Sequence, residues 1–169
     1  MNLEERIEQW LKDNFDLSDM MVAMVLGLMF LLIGVIIHES AHKITALFLG
    51  CPAKITSLNF YFGLTNVSNT CPAKAMVLIA LAGPMASFIY GLIGWFSGEN
   101  SVWRFMSNII FAYSVLPNIW PAPYTDITVA VNNGLNPTFA FFCITIPITA
   151  IIFYLWAREV VDRKKIFKY

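Results

Sequence analysis

Four long apolar segments constrain this chain more than any other feature of its sequence. They cover residues 20–49, 75–96, 103–120 and 138–157, and about 20 helical residues are needed to cross the hydrocarbon core of a bilayer. The first segment is too long for a simple span, because about 30 residues rising about 1.5 Å each cover about 45 Å, so it must tilt or protrude. The sequence therefore predicts an all-α polytopic membrane protein with about four transmembrane helices.

The composition agrees with this fold class. Hydrophobic residues make up 58% of the 169-residue chain and charged residues 13%, which is far from the average of soluble proteins. The formal net charge is zero, so a nucleic-acid partner has no electrostatic support. We expect an integral, multi-pass protein of the cell membrane, whose surroundings are the lipid bilayer.

Charge divides the chain into a leader at 1–19, a transmembrane core at 20–157 and a basic tail at 158–169. The leader contains six acids and two bases, so it lacks the positive start of a signal peptide. Its apolar residues recur at helical spacing, which predicts an amphipathic helix on the membrane surface. A plain solvated leader fits the same residues equally well.

A short membrane-associated β-hairpin is predicted between the first two apolar segments. The stretch KITSLNFYFGLTNVS at 54–68 is β-branched and aromatic, with a glycine at which a hairpin can turn. Lipid does not tolerate exposed strand edges, so these strands must lie at the interface or against protein. The tetrapeptide CPAK begins at Cys51 and again at Cys71, on either side of the hairpin. It could bring two thiols together, but no longer repeat surrounds it, so coincidence is the favoured interpretation.

The first apolar segment carries the sequence HESAH, and its His38 and His42 are the only histidines of the chain. Residues four apart share a helix face, so both imidazoles can bind one zinc ion. Glu39 can reach water beside the metal instead of the metal itself. Ionisable residues within a membrane span are costly and are functional candidates for that reason. The alternative is a pair of buried histidines held by ordinary core partners.

A catalytic zinc site needs a third protein ligand and an open position for water. With no third histidine, that ligand must be a carboxylate or a cysteine. Of the eleven acids, eight lie in the leader or the tail and Glu39 already has a role beside the metal, which leaves Glu99 and Asp126. Helix direction alternates, so the end of the third segment returns to the side of His42, whereas Glu99 lies at the opposite side. The alternation of helix direction therefore predicts Asp126 as the third ligand. An alternative role for Asp126 is that of a helix N-cap.

With HESAH on a membrane helix and NIWPAPYTD after a later one, the chain resembles the site-2 protease family of intramembrane zinc metalloproteases. That family carries HExxH on one core helix and a downstream N-x-x-P-x-P-x-x-D-G motif whose aspartate is the third zinc ligand. The positions in register with the second motif are Asn118, Pro121, Pro123 and Asp126. The resemblance covers nearly the whole chain. It implies one Zn²⁺ per chain and a minimal core without PDZ or CBS-type segments.

Two positions depart from the family pattern. Ile127 stands where the motif has glycine, and Ser87 stands where the G-P-x-x-N pattern of the middle helix has asparagine; neither change removes a ligand. The resemblance assigns Asn118 to substrate or site positioning, and a helix-terminal hydrogen bond is an equal alternative. Gly83 and Pro84 imply either close helix packing beside the site or a simple kink.

The resemblance implies hydrolysis of a peptide bond in or near the transmembrane segment of a membrane-protein substrate, with Glu39 as general base. Two other functions stay open: a catalytically inactive pseudoprotease that acts as a membrane scaffold, and a membrane protein that binds or transports metal. A transporter has no need of Glu39 within HExxH and usually lines several helices with ligands.

Two expectations for the orientation in the membrane contradict each other. Five bases in the tail REVVDRKKIFKY predict a cytoplasmic C-terminus. With four spans, this puts the opening of the zinc site nearer the outer side. The family that the chain resembles generally opens its site nearer the cytosol.

Overall fold

The computed structural model describes residues 17–58, 63–97 and 101–166. Within these ranges the chain is mostly helical, with one two-stranded antiparallel sheet. The elements are α1 (Leu17–Phe48), β1 (Ala53–Leu58), β2 (Gly63–Val67), α2 (Ala73–Ser97), α3 (Ser101–Ile110), α4 (Leu116–Ile119), α5 (Asp126–Asn132), α6 (Pro137–Phe139) and α7 (Ile146–Ile166). Two π-helical segments, Phe111–Val115 and Ala140–Thr145, join α3 to α4 and α6 to α7.

Three of the described helical stretches are long and apolar enough to cross a membrane: Met24–Phe48, Ala73–Ser97 and Pro137–Arg158. They correspond to the first, second and fourth apolar segments of the sequence. The third segment is also helical, but it is divided between α3, a π-helical segment and α4. A count of four spans is therefore not confirmed. The amphipathic helix predicted for the leader lies outside the described residues, apart from the start of α1.

The helices pack around a main apolar core and leave apolar side chains on the outside. Buried core residues come from α1, α2, the α3 to α4 stretch and α7, and they are Leu31, Phe88, Trp95, Ile110, Phe111, Val115, Ile119, Ile148, Ile152 and Leu155. Outward-facing residues on the same helices include Met24, Leu28, Ile89, Ile93 and Phe153, each at least 45% exposed. Apolar side chains on the outer surface of a helical bundle are what lipid surroundings require.

Chain direction alternates along the bundle, as contacts at its two ends show. At one end, the guanidinium of Arg104 in α3 lies over the ring of Trp95, near the end of α2. At the other end, Thr145 donates a hydrogen bond of 2.7 Å to the Ile119 carbonyl, where α4 finishes and α7 is about to begin. The α3 to α4 stretch therefore runs back along α2, and α7 then runs in the direction of α2.

The predicted hairpin is present, with strands somewhat shorter than the sequence suggested. Ala53 pairs with Val67 at its open end and Leu58 pairs with Gly63 near its turn, with an irregularity between Ile55 and Ser57. Its open end lies on a small second core of Ala46, Cys51 and Ile79. The hairpin thus packs against protein at the end of α1. This is one of the two positions expected for strands whose edges cannot face lipid.

A disulfide bond joins Cys51 to Cys71 at the open end of the hairpin. Coincidence was the favoured interpretation of the two CPAK sequences, and for their cysteines that interpretation is wrong. Antiparallel pairing of β1 with β2 brings the residues just before and just after the hairpin together, at a Cα–Cα distance of 5.4 Å. Such a distance is within the usual range for a disulfide.

Candidate metal centre

Helix α1 places three adjacent polar side chains in the interior of the bundle. His38 and His42 are 6% and 7% exposed and Glu39 is 5% exposed. Their possible ligand atoms all lie within 4.8 Å of one another, so the three residues could hold a metal ion. The two imidazole rings meet edge to face with their centroids 4.8 Å apart, as expected for side chains one helical turn apart.

Asp126, the first residue of α5, lies directly against both histidines. One carboxylate oxygen is 3.0 Å from Nε2 of His38 and the other is 3.4 Å from Nε2 of His42. Thr125 holds the N-cap position of α5, so the alternative role of Asp126 as an N-cap is not what the structure shows. The chain between His38 and Asp126 runs through the hairpin, α2 and α4, and the fold brings its two ends together.

The other ring nitrogen of each histidine has a partner of its own. Nδ1 of His42 donates to the Ile79 carbonyl at 2.6 Å, and Nδ1 of His38 lies 3.1 Å from the Ser87 hydroxyl. Partners at Nδ1 fix the ring orientation and leave Nε2 to face a ligand, an arrangement typical of histidines that bind metals. Both Nε2 atoms face the same point beside Asp126.

The hydrogen bond to Ile79 also determines what His42 can do at Nε2. A carbonyl oxygen only accepts, so Nδ1 carries the hydrogen, and Nε2 of the neutral ring is then an acceptor. It faces a carboxylate oxygen of Asp126, which is an acceptor too. Two acceptors facing each other in a buried site require a positive charge between them, either a proton or a metal cation. The residues therefore fit a metal ion.

Glu39 points toward the hairpin and is held there by Thr65 of β2. The Thr65 hydroxyl lies 2.6 Å from Oε2 of Glu39 and 3.3 Å from the Glu39 backbone carbonyl. Gly63, the first residue of β2, lies so close to the Glu39 side chain that a Cβ at this position would collide with it. The hairpin is therefore the element that orients this carboxylate.

Gly83 lets α2 approach the two histidines. A Cβ at this position would collide with Nε2 of both His38 and His42, so only glycine leaves room for these atoms and for a ligand between them. Pro84 is fully buried inside α2. Of the two roles that the sequence left open for Gly83, close packing beside the site is the one that the structure shows.

Ser87 links α2 to the π-helical segment beside α4. Its fully buried hydroxyl contacts Nδ1 of His38 and lies 2.9 Å from the hydroxyl of Ser114. Asn118, one turn beyond Ser114, donates from Nδ2 to the Ser114 carbonyl at 3.1 Å. This contact is the local helix hydrogen bond that the sequence kept as an alternative role for Asn118.

A cavity of about 380 Å³ opens beside these residues. It is lined by both histidines, Glu39, Asp126 and Asn118, together with residues of β2, α2 and the π-helical segment. Two exposed tyrosines, Tyr113 and Tyr124, also line it. The cavity therefore gives access to the candidate centre from the side of the hairpin and the loop before α5.

The two prolines of the NIWPAPYTD motif do not line the cavity beside the histidines. Pro121 lines a second, apolar cavity of about 320 Å³ between α5 and the π-helical segment Ala140–Thr145, and Pro123 is exposed. Ile127, which stands where the family motif has glycine, is 2% exposed and lines the same apolar cavity. Ile127 thus fills space behind α5 and does not face the candidate centre.

Sequence reasoning missed four residues that lie beside the centre: Thr65, Ile79, Ser114 and Tyr124. Three of them act through an ordinary hydroxyl or a backbone carbonyl, for which no sequence motif exists. Tyr124 has a positive φ of 67°, which is unusual for a residue other than glycine and often marks a functional site. Its position between the prolines and Asp126 was the only available signal.

Comparisons of the chain with models of protein families, with curated proteins and with solved structures found no match.

Proposed function

We propose that this protein is an intramembrane zinc metalloprotease, which hydrolyses a peptide bond in or near the membrane-spanning segment of a membrane-protein substrate. The proposal rests on one observation above all. The carboxylate of Asp126, 88 residues downstream of His38, lies against Nε2 of His38, with its second oxygen toward His42. Two histidines and a carboxylate are a ligand set of catalytic zinc sites.

His38, His42 and Asp126 are the proposed zinc ligands. Glu39 is also close enough to join a metal-binding group with the two histidines, but its Oε2 already accepts a hydrogen bond from Thr65. A carboxylate that is held beside the ligands and turned toward a partner on the hairpin suits proton transfer better than coordination. When bound, zinc would polarise a peptide carbonyl and make water acidic enough to lose a proton near neutral pH.

The residues of the chain then have distinct tasks. Glu39 accepts the proton of the attacking water and later donates it to the leaving amine. Ser87 and the Ile79 carbonyl keep the two imidazoles in orientation through Nδ1. Asn118 borders the cavity near Asp126 and positions the substrate or the wall of the site.

Substrate access is proposed to involve the hairpin. A transmembrane helix hides its carbonyls in internal hydrogen bonds, so a segment of it must unwind before a bond can be cleaved. Within the described residues the sheet has two strands, so each has an edge that pairs with no other described strand, and an extended substrate segment could pair with one of these edges near the cavity. The hairpin would thus hold the extended form at the boundary of the membrane.

We further propose that the α3 to α4 stretch is a fourth crossing of the membrane. It leaves the end of α2 beside Trp95 and reaches the candidate centre at Asn118, with its middle residues Ile110 and Phe111 fully buried. Its division by a π-helical segment does not interrupt the helix, because backbone hydrogen bonds continue through such a segment with a wider turn.

Cleavage of a single-pass model substrate by purified protein in lipid vesicles tests this function. Glu39→Gln should retain one zinc ion per chain and lose cleavage, because the amide cannot accept the proton from water. Ser107→Ala serves as a matched control, since Ser107 is buried at the far end of the bundle, where it donates to the Trp103 carbonyl. Cleavage that survives Glu39→Gln contradicts the proposed mechanism.

The same preparation separates the two alternative functions. A pseudoprotease scaffold would bind zinc without cleaving any substrate, in the wild type as in Glu39→Gln. A transporter would move zinc across the vesicle membrane. Within the described residues, the candidate ligands lie at one place in the bundle and do not follow a path along several helices, which favours the protease.

A further inference from the structure

The basic tail and the family resemblance predict opposite orientations in the membrane. Three structural observations favour one of these orientations, and that orientation restricts the class of substrate. The observations are the position of the disulfide, the direction of α7 and the distribution of basic residues. The substrate part of the inference rests on the proposed protease function, whereas the orientation itself does not.

The disulfide lies at the same end of the bundle as the candidate centre. Cys51 follows α1 and Cys71 precedes α2, and the Cys51–Cys71 bond closes the hairpin whose Thr65 contacts Glu39. From His42 to the end of α1 at Phe48 there are six residues, which correspond to about 9 Å along a helix axis. The centre is therefore about one third of the way into a hydrocarbon core about 30 Å thick, measured from the end with the disulfide.

A disulfide indicates the compartment that this end of the bundle faces. Structural disulfides form and persist outside the cytosol, because glutathione and thioredoxin keep cytosolic thiols reduced. Cys51 is 2% exposed in the small core beneath the hairpin, so this bond belongs to the packed structure of the hairpin end. The end of the bundle that holds the candidate centre should therefore face an oxidising compartment.

The basic residues give the same orientation independently. The π-helical segment before α7 ends beside Ile119, at the end with the centre, and α7 runs away from it. Four bases, Arg158, Arg163, Lys164 and Lys165, lie in the last nine residues of α7, and Arg104 lies at the same far end beside Trp95. The bases at the end with the centre are fewer, namely Lys43 next to His42, Lys54 in β1 and Lys74 in the first turn of α2. An excess of bases marks the cytoplasmic side.

We infer that the candidate centre opens toward the oxidising, non-cytoplasmic side of the membrane, opposite to the orientation implied by the resemblance to site-2 proteases. Its substrates are then membrane proteins whose scissile bond lies in the outer third of their membrane-spanning helix. The cytoplasmic end of such a helix lies about 20 Å from the centre, by the depth and the bilayer thickness given above. A break in the helix at that end should not expose a bond to this site.

Cysteine labelling in intact bacterial cells tests the orientation without any need for activity. In a Cys143→Ser background, which removes the one free cysteine of the described residues, an exposed position at the end of α5 is changed by Asn132→Cys, and the end of α7 by Lys165→Cys. A membrane-impermeant maleimide should label Asn132→Cys equally before and after cell lysis, and Lys165→Cys only after lysis. The opposite pattern overturns the inference.

The disulfide provides a second readout that does not depend on new cysteines. In the Cys143→Ser protein, Cys51 and Cys71 should resist maleimide in intact cells until a membrane-impermeant phosphine reductant is added. If both cysteines are labelled in freshly lysed cells without reductant, they are free thiols in the cell and the inference loses its main support. A fluorescent protein that folds only in the cytosol, fused to the C-terminus, tests the other end of the bundle. It should be bright, because the inferred orientation places the end of α7 on the cytoplasmic side.

The substrate class is tested with two single-pass Leu- and Ala-rich helices. Each carries one Asn-Pro-Gly break, placed in the outer third of one helix and in the inner third of the other. Active protein should cleave the first at least about tenfold faster, which corresponds to about 1.4 kcal/mol. Preferential cleavage of the second overturns the substrate inference. Loss of all cleavage with the labelling pattern unchanged would contradict the proposed function and leave the orientation intact.

Discussion

The Thr65 hydroxyl of β2 lies 2.6 Å from Oε2 of Glu39, and this contact joins the hairpin to the residue that we propose as the general base. A hydroxyl donates and a carboxylate accepts, so this is a charge-assisted hydrogen bond, which is stronger than a neutral one. The Cys51–Cys71 bond fixes the open end of the same hairpin. The orientation of Glu39 therefore depends on an element that lies outside the helices.

Removal of this hydrogen bond should slow cleavage without removing the metal. We expect Thr65→Val to lower kcat by about tenfold to a hundredfold, since a hydrogen bond to a charged group contributes about 1.5–3 kcal/mol. Zinc content should stay at one ion per chain, because the hydrogen bonds of the Thr65 hydroxyl go to Glu39, which is not one of the three proposed ligands. Thr65→Ser retains the hydroxyl and should recover most of the activity. Equal loss in both variants would assign Thr65 a packing role only.

Substitution of Asp126 distinguishes the two carboxylates that lie near the histidines. If Asp126 is the third ligand, Asp126→Ala should lower zinc content well below one ion per chain, while Glu39→Gln retains it. Metal analysis of the purified variants after dialysis measures both. The reverse result, with zinc retained in Asp126→Ala and lost in Glu39→Gln, would identify the other group of nearby residues, His38, Glu39 and His42, as the ligand set.

Ser87 should affect the affinity for zinc through His38. Ser87→Ala leaves Nδ1 of His38 and the Ser114 hydroxyl without this partner, and loss of such supporting contacts typically lowers metal affinity by about 10- to 100-fold. Competition with a chelator of known affinity measures the change. Ser107→Ala removes an equally buried serine at the other end of the bundle and should leave the affinity unchanged. A similar decrease in both variants would indicate general destabilisation.

Gly83 offers a steric test of the centre. We expect Gly83→Ala to abolish zinc binding, because the added methyl group would occupy the space at Nε2 of both histidines. Alanine is a better helix former than glycine by about 1 kcal/mol, so weaker helix formation would not explain this loss. Gly27→Ala is the matched control, since its Cβ would make ordinary contacts with Met106 and Ile109. Zinc binding at wild-type affinity in Gly83→Ala would show that the zinc ion is held elsewhere.

The sequence alone determined the elements that depend on local patterns. The apolar segments predicted α1, α2 and the helical span Pro137–Arg158 within a few residues, because the thickness of a bilayer sets the length of a spanning helix. The spacing of His38 and His42 was sufficient to place both imidazoles on one face of α1, since a helix repeats every 3.6 residues. The β-branched and aromatic stretch at 54–68 predicted the hairpin, because such residues favour strands.

Only the tertiary structure decided which distant groups meet. Asp126 lies beside both histidines because the α3 to α4 stretch returns along α2, and Gly83 gives α2 the space to approach the ring nitrogens. Counting helix directions could place Asp126 at the right end of the bundle but could not bring it within 3.0 Å of His38. The contacts of Thr65 and Ser87 and the Cys51–Cys71 bond arise in the same way. They depend on how separate elements pack, and a hydroxyl or a cysteine carries no local pattern that specifies its distant partner.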